Sequence, residues 1–197
     1  MAQSHMQQTI AILPLATIVL PQGRMELSIF EQRYIRMVKE SLQEKRPFGL
    51  CFLKANQEDM DKEPVFPCGT KVHIIDFHAL ADGTLGITVE GDFFFNVKSM
   101  VTEADGLHVA EVKFLPPWPT QLDDTTKLQT LLRQRLEEVY ATYPEIGDLY
   151  DALPSHDLAW LCSRWLELLP LSPEKKHALI SSHNPKEIAN FLSRLFE

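Results

Sequence analysis

Residues 12–34 read Ile-Leu-Pro-Leu-Ala-Thr-Ile-Val-Leu-Pro-Gln-Gly-Arg-Met-Glu-Leu-Ser-Ile-Phe-Glu-Gln-Arg-Tyr, and the fold is decided there. The pattern predicts two short apolar strands, a turn at Pro21-Gln22-Gly23, a third strand and the start of a helix. Pro14 and Pro21 cannot donate to a sheet ladder, so each belongs at an edge, a bend or a strand end. Gly23 offers the backbone freedom that a sharp turn needs. Ser28 and Glu31 have the spacing of a capping box, ahead of a stripe formed by Phe30, Tyr34, Met37, Val38 and Leu42. The helix is expected to stop at Arg46-Pro47, because the residue before a proline resists helical geometry.

Outward from that stretch, residues 9–115 read mainly as strands. Phe48–Leu53 is a continuous apolar run suited to a buried strand. Residues 54–64 are polar and aperiodic, an exposed loop. A strand rich in β-branched and aromatic residues follows Pro67-Cys68-Gly69-Thr70 and runs to about Leu80. Asp82-Gly83 signals a hairpin into Thr84–Glu90. Gly91-Asp92 punctuates again before a strand over Phe93–Val101. Asp105-Gly106 is a further hairpin signal, leading into Leu107–Leu115. Many short strands with one early helix predict a closed or partly closed β-barrel.

The composition changes at Pro116-Pro117-Trp118-Pro119, a stiff connector. Beyond it Leu128, Leu131, Leu132, Leu136, Val139, Tyr140 and Tyr143 recur at helical steps, and Pro144 is expected to end the run. A second helix holds Leu158, Leu161, Trp165, Leu168 and Leu169. Ser172-Pro173 and Asn184-Pro185 each open another, with a capping side chain followed by proline at the first helical position. The class is therefore α+β. The expected division is a barrel over 8–115, a connector over 116–119 and a small four-helix bundle over 120–197. Residues 1–7 are set apart, since Ser4-His5-Met6 looks like a cloning remnant with the native start at Met6.

Bulk composition narrows the function classes. With 19 basic against 27 acidic side chains the net charge is −8, which works against a partner recognised by neutralising many phosphates. Cys51, Cys68 and Cys162 are odd in number and widely spaced, so a disulfide framework is not expected and a reducing, cytoplasmic setting is. No apolar run reaches the roughly 20 residues of a membrane span, and the first residues lack the features of a signal peptide.

The order Leu13-Pro14-Leu15, apolar strand, Pro21-x-Gly23, then Leu27-x-Ile29-Phe30-Glu31-x-Arg33-Tyr34 resembles the opening of the Lon protease amino-terminal, substrate-binding domain. Phe48-Gly49, Cys68-Gly69-Thr70, Asp82-Gly83, Val89-Glu90-Gly91 and Ala110-Glu111-Val112 follow in the order of that bacterial-type family. Leu171–Lys175 and Asn184-Pro185 resemble its later helices. The resemblance implies a PUA-like β pseudo-barrel with one early helix, followed by the helical bundle. It further implies protein binding related to ATP-dependent proteolysis. The family often carries basic residues where this chain has Phe93 and Phe94, so any contact they make there does not transfer. The phosphate-cradling Gly-x-x-x-x-Gly-Lys-Ser/Thr pattern is absent, since Gly69-Thr70-Lys71 has the wrong order and spacing. A free-standing binding domain, without ATPase or protease parts, is the expectation.

The candidate catalytic set is Cys68 with His73 or His78. One strand through 71–78 turns those histidines to opposite faces, so both cannot serve one site. No catalytic residue, metal ligand or cofactor is expected. In Phe93-Phe94-Phe95 alternation separates Phe94 from its neighbours. Either the strand is buried on both faces, or Phe94 lies on an exposed apolar patch that holds a client. Trp118 divides the same way, between a structural plug and part of a binding cleft. On the binding reading Phe94 and Trp118 are the peptide-contacting residues. The partners are then unfolded or flexible polypeptides, and a protease or ATPase acting in trans. An RNA-binding PUA-like module is the alternative, disfavoured by charge; a peptidase ranks last.

Overall fold

The computed structural model describes residues 7–54, 65–118, 126–152 and 157–196. The expected loop past Lys54, the start at 1–6, and Pro119 with the residues up to the first helix of the tail lie outside these. Two compact units divide the chain, Met1–Pro117 and Trp118–Glu197. Among the described residues no helix is long and apolar enough to cross a membrane.

The first unit comprises β1 (Gln7–Leu15), β2 (Arg24–Ile29), α1 (Gln32–Glu44), β3 (Phe48–Leu53), β4 (Val65–Ala79), β5 (Leu85–Thr102) and β6 (His108–Phe114). The strand order is β2-β5-β4-β3-β1-β6, and β6 pairs back onto β5. Five strands therefore close a ring, β5-β4-β3-β1-β6, and β2 pairs with the Leu85–Glu90 stretch of β5, ahead of the stretch that pairs with β6. β1 and β3 are parallel, joined by the crossover that contains β2 and α1, and every other pairing is antiparallel. Apolar side chains from all five ring strands fill the interior: Ile10, Ile12, Cys51, Val65, Phe95, Ala110 and Val112. The Phe95 ring fits because two neighbours have no side chain. A Cβ on Gly49 would stand 2.5 Å from its ring, and one on Gly69 would stand 2.6 Å from it.

The two Ala-Asp-Gly sequences form matching hairpins. Gly83 and Gly106 take φ of 84° and 87°, and each amide donates to the carbonyl three residues back, Leu80 or Glu103. Asp82 and Asp105 accept the amides of Thr84 and Leu107, which fixes each loop.

Five local expectations need correction. Residues 16–20 form no strand, although Ile18, Val19 and Leu20 are buried. The turn that follows places its left-handed φ on Gln22 (61°), not on Gly23, and Gly23 N–H closes it onto Leu20 O at 2.8 Å. Proline at the second position and a positive φ at the third are the requirements of such a turn, and Gln22 occupies the third. Ser28 lies in β2, so the capping box does not form; the N-cap is Glu31, without a side-chain bond. Only Tyr34, Met37 and Val38 of the expected stripe are buried, while Phe30 is 68% exposed. Finally, Gly91-Asp92 does not end a strand: β5 runs unbroken for 18 residues. Its register against β4 slips there, with Lys71 opposite Phe93 and Val72 opposite Gly91, so Asp92 is the extra residue of a bulge. A Cβ on Gly91 would lie 2.3 Å from Leu20 O, so the bare backbone is what lets the 20–23 turn dock on β5.

The second unit contains α2 (Thr126–Thr142), α3 (Pro144–Gly147), α4 (Leu158–Leu168), α5 (Pro173–Ser181) and α6 (Pro185–Phe196). The four long helices fall where the periodicity places them. Pro144 starts the one-turn α3 instead of merely ending α2, because a proline suits the first helical position. Asp157 caps α4 through Trp160 N–H, and Ser172 caps α5 through Lys175 N–H. α4 is the centre, buried from Leu158 through Leu166. Its Trp165 donates to Leu132 O at 3.1 Å and stacks edge-on against Phe196. Arg164, with no exposed surface, binds both carboxylate oxygens of Glu167, at 2.6 and 2.7 Å. Among the described residues the pair keeps that buried charge neutral.

Candidate functional site

The ring is closed, yet two strand edges beside it are not. β6 accompanies β1 only as far as Ile12. Leu13, Pro14 and Leu15 are therefore paired on the β3 side alone, and Pro14, which has no N–H to give, stands where one ladder has ended. β2 pairs only with β5 among the described strands. Between these edges lies a groove of about 300 Å³, lined by Leu13, Pro14 and Leu15 on one side and Leu27, Ser28 and Ile29 on the other. Successive strand residues point to opposite faces, so a cavity touching three in a row from each strand abuts the strand edges themselves.

Phe30, Leu53, Glu31, Arg33, Tyr34 and His108 complete the lining. Phe30 and Leu53 are large apolar side chains left 68% and 40% exposed. At the polar end Arg33 binds Glu31 at 2.7 Å, donates to Gly106 O at 3.0 Å and lies 4.7 Å over the Tyr34 ring. The Nε of Arg33 is buried without a hydrogen-bond partner. Burial pushes the Tyr34 hydroxyl above its ordinary range; Arg33 opposes the shift and Glu31 adds to it. His108, 3.0 Å from Thr102 Oγ1, is held below its ordinary value by burial and then by the nearby Arg33 charge. It is therefore neutral at pH 7. The groove is apolar along its length, and its one acid and one guanidinium neutralise each other.

The residues singled out from sequence lie elsewhere. Phe94 is 4% exposed, so the exposed-patch expectation for it is corrected: although alternation sets it on the face opposite Phe95, that face is covered there. Trp118 is also buried, in the helical unit, donating from Nε1 to His183 Nδ1 at 3.1 Å. Cys68 is buried, while His73 binds Asp92 at 2.8 Å and His78 binds Glu26 at 2.9 Å. Burial raises the thiols of Cys51 and Cys162, the latter to about 12, which leaves both poor nucleophiles. Among the described residues no cluster of three or more His, Cys, Asp or Glu side chains could hold a metal. Sequence reasoning missed Phe30 and Leu53. The signal for Phe30 was present: once Ser28 belongs to a strand, Phe30 falls outside the helix stripe.

The family model for the ATP-dependent protease La (LON) substrate-binding domain matches residues 9–196. Lon protease of Dictyoglomus thermophilum is 31% identical over 85 residues, covering 43% of this chain and 11% of that protein. The matched segment is thus a small part of the curated relative. The crystal structure of a Lon N-terminal domain protein from Xanthomonas campestris is similar with a TM-score of 0.75 at 24% identity, over 96% of this chain and 99% of that one. The N-terminal domain of Mycobacterium avium complex Lon protease gives 0.67 at 18% identity, over 94% and 96%. These likenesses bear on the fold, whereas the family match spans both units. The chain belongs to the LON substrate-binding domain family.

Proposed function

We propose that this chain is a non-catalytic binding module that holds exposed apolar segments of polypeptides, in support of ATP-dependent proteolysis. The observation that carries the reading is the apolar groove between β1 and β2, where Phe30 and Leu53 stay exposed beside two strand edges. Large apolar side chains gathered at a cavity with few polar groups favour an apolar occupant. Affinity for one segment is expected to be modest, because ordering a flexible client offsets much of the contact energy. The RNA-binding alternative has little to use. The basic cluster around Lys71, His73 and Arg46 is already shared with Asp92 and Glu44, and the chain carries −8 overall.

The test is fluorescence anisotropy of the purified chain against a labelled, permanently unfolded polypeptide, with a labelled RNA oligomer alongside at physiological salt. Saturable binding to the polypeptide alone, weakened by Phe30→Ser, is the expected result. Saturable binding to RNA alone would overturn the reading.

A further inference from the structure

We propose that the client segment is bound as an added β-strand along the open edge of β2, with its main chain paired to β2 and its alternate side chains in the groove. This rests on the groove reading above and goes further, because it makes the client's backbone the recognised feature. The groove touches Leu27, Ser28 and Ile29 in succession, as well as Leu13, Pro14 and Leu15. It therefore lies against main-chain edges on both sides, and among the described residues neither edge there has a second strand. An extended strand is the one conformation that answers such edges with its own N–H and C=O groups.

The same surface says which strand fits. Natively folded proteins have their main chain already paired, so the occupant is an unfolded or extended segment. The groove walls are apolar, and their two charges, Glu31 and Arg33, cancel at 2.7 Å. The chain's net charge of −8 then favours an apolar segment flanked by Lys or Arg. It disfavours a second copy of this chain, which would bring −8 against −8.

The probe is a fluorescein-labelled decapeptide of alternating Val and Ser with Lys at both ends. Two further versions carry backbone N-methyl groups on the odd or on the even residues. All are titrated against the full chain by anisotropy, and amide hydrogen exchange is followed at Met25–Ile29. The proposal expects saturable binding of the parent peptide and protection of the β2 amides in the complex. It also expects a loss of about tenfold or more for at least one N-methylated version. Support requires both the loss and the protection. If the parent binds while the β2 amides exchange as before, or both N-methylated versions bind like the parent, strand addition is overturned and the groove reading survives. If the parent does not bind, both fall. Protection of β2 that grows with protein concentration and needs no peptide would make a second copy the occupant and overturn the proposal.

Discussion

Two aromatic side chains of the barrel, Phe95 and Phe30, sit in opposite circumstances. Phe95 is fully buried in the closed ring, over Gly49 and Gly69. Phe30 is 68% exposed beside the open edges of β1 and β2. Inside the ring every strand has a partner on each side, so a large side chain there adds to stability and has no access to a ligand. At the open edge an apolar side chain adds little to stability and remains available. The comparison teaches that in this domain one residue type stabilises the closed ring and, where pairing stops, stays accessible.

The strongest way to break that comparison is Phe95→Ala. Removing a buried phenyl ring is expected to cost about 3–5 kcal/mol, read from denaturant unfolding. Phe94→Ser should also destabilise strongly, because it leaves a hydroxyl in a buried place. Client binding per folded molecule should stay unchanged in both. If Phe94→Ser abolished binding without touching stability, the aromatic run would be the site after all. Next in size is Phe30→Ser, expected to weaken client binding by about tenfold. Its stability should stay within about 0.5 kcal/mol, as usual for exposed positions.

The sequence reveals the closed-ring half of this comparison better than the open-edge half. Local chemistry was legible: both Ala-Asp-Gly hairpins, the end of α1 before Pro47 and the caps at Ser172 and Asn184 follow from residues within one turn of each other. The ring closure was foreseen as a class and not as a pairing. What failed depended on distant partners. Ser28 lies in a strand because β2 pairs with Leu85–Glu90, far along the chain. Gly91-Asp92 reads as a turn until the 20–23 turn is seen docking on it. Alternation separates Phe94 from Phe93 and Phe95, but it does not say whether distant parts of the chain cover the Phe94 face, and they do. The groove was hidden for the same reason, being made by the absence of pairing between two strands.

Smaller effects sharpen the picture. His108 is held below its ordinary value of 6.5, so on acidification the unfolded chain takes up a proton before the folded one does. Stability is fully present above about 6.5 and declines as the pH falls through the depressed value. His108→Gln should remove that part of the pH dependence in thermal unfolding followed from pH 7 downward. The smallest expected effect is a few-fold preference for Lys-flanked over Glu-flanked apolar peptides, fading as salt rises to about 0.5 M.

The most direct test sets two exposed phenylalanines against each other, Phe30 at the groove and Phe93 on the wall, which is 46% exposed. The wild type, Phe30→Ser and Phe93→Ser are titrated in parallel with one labelled unfolded polypeptide, after each is shown to unfold at the same denaturant concentration. The account predicts weakened binding for Phe30→Ser and wild-type binding for Phe93→Ser. Weakened binding for Phe93→Ser with Phe30→Ser unaffected would contradict it, and would move the client site from the open edge to the closed ring.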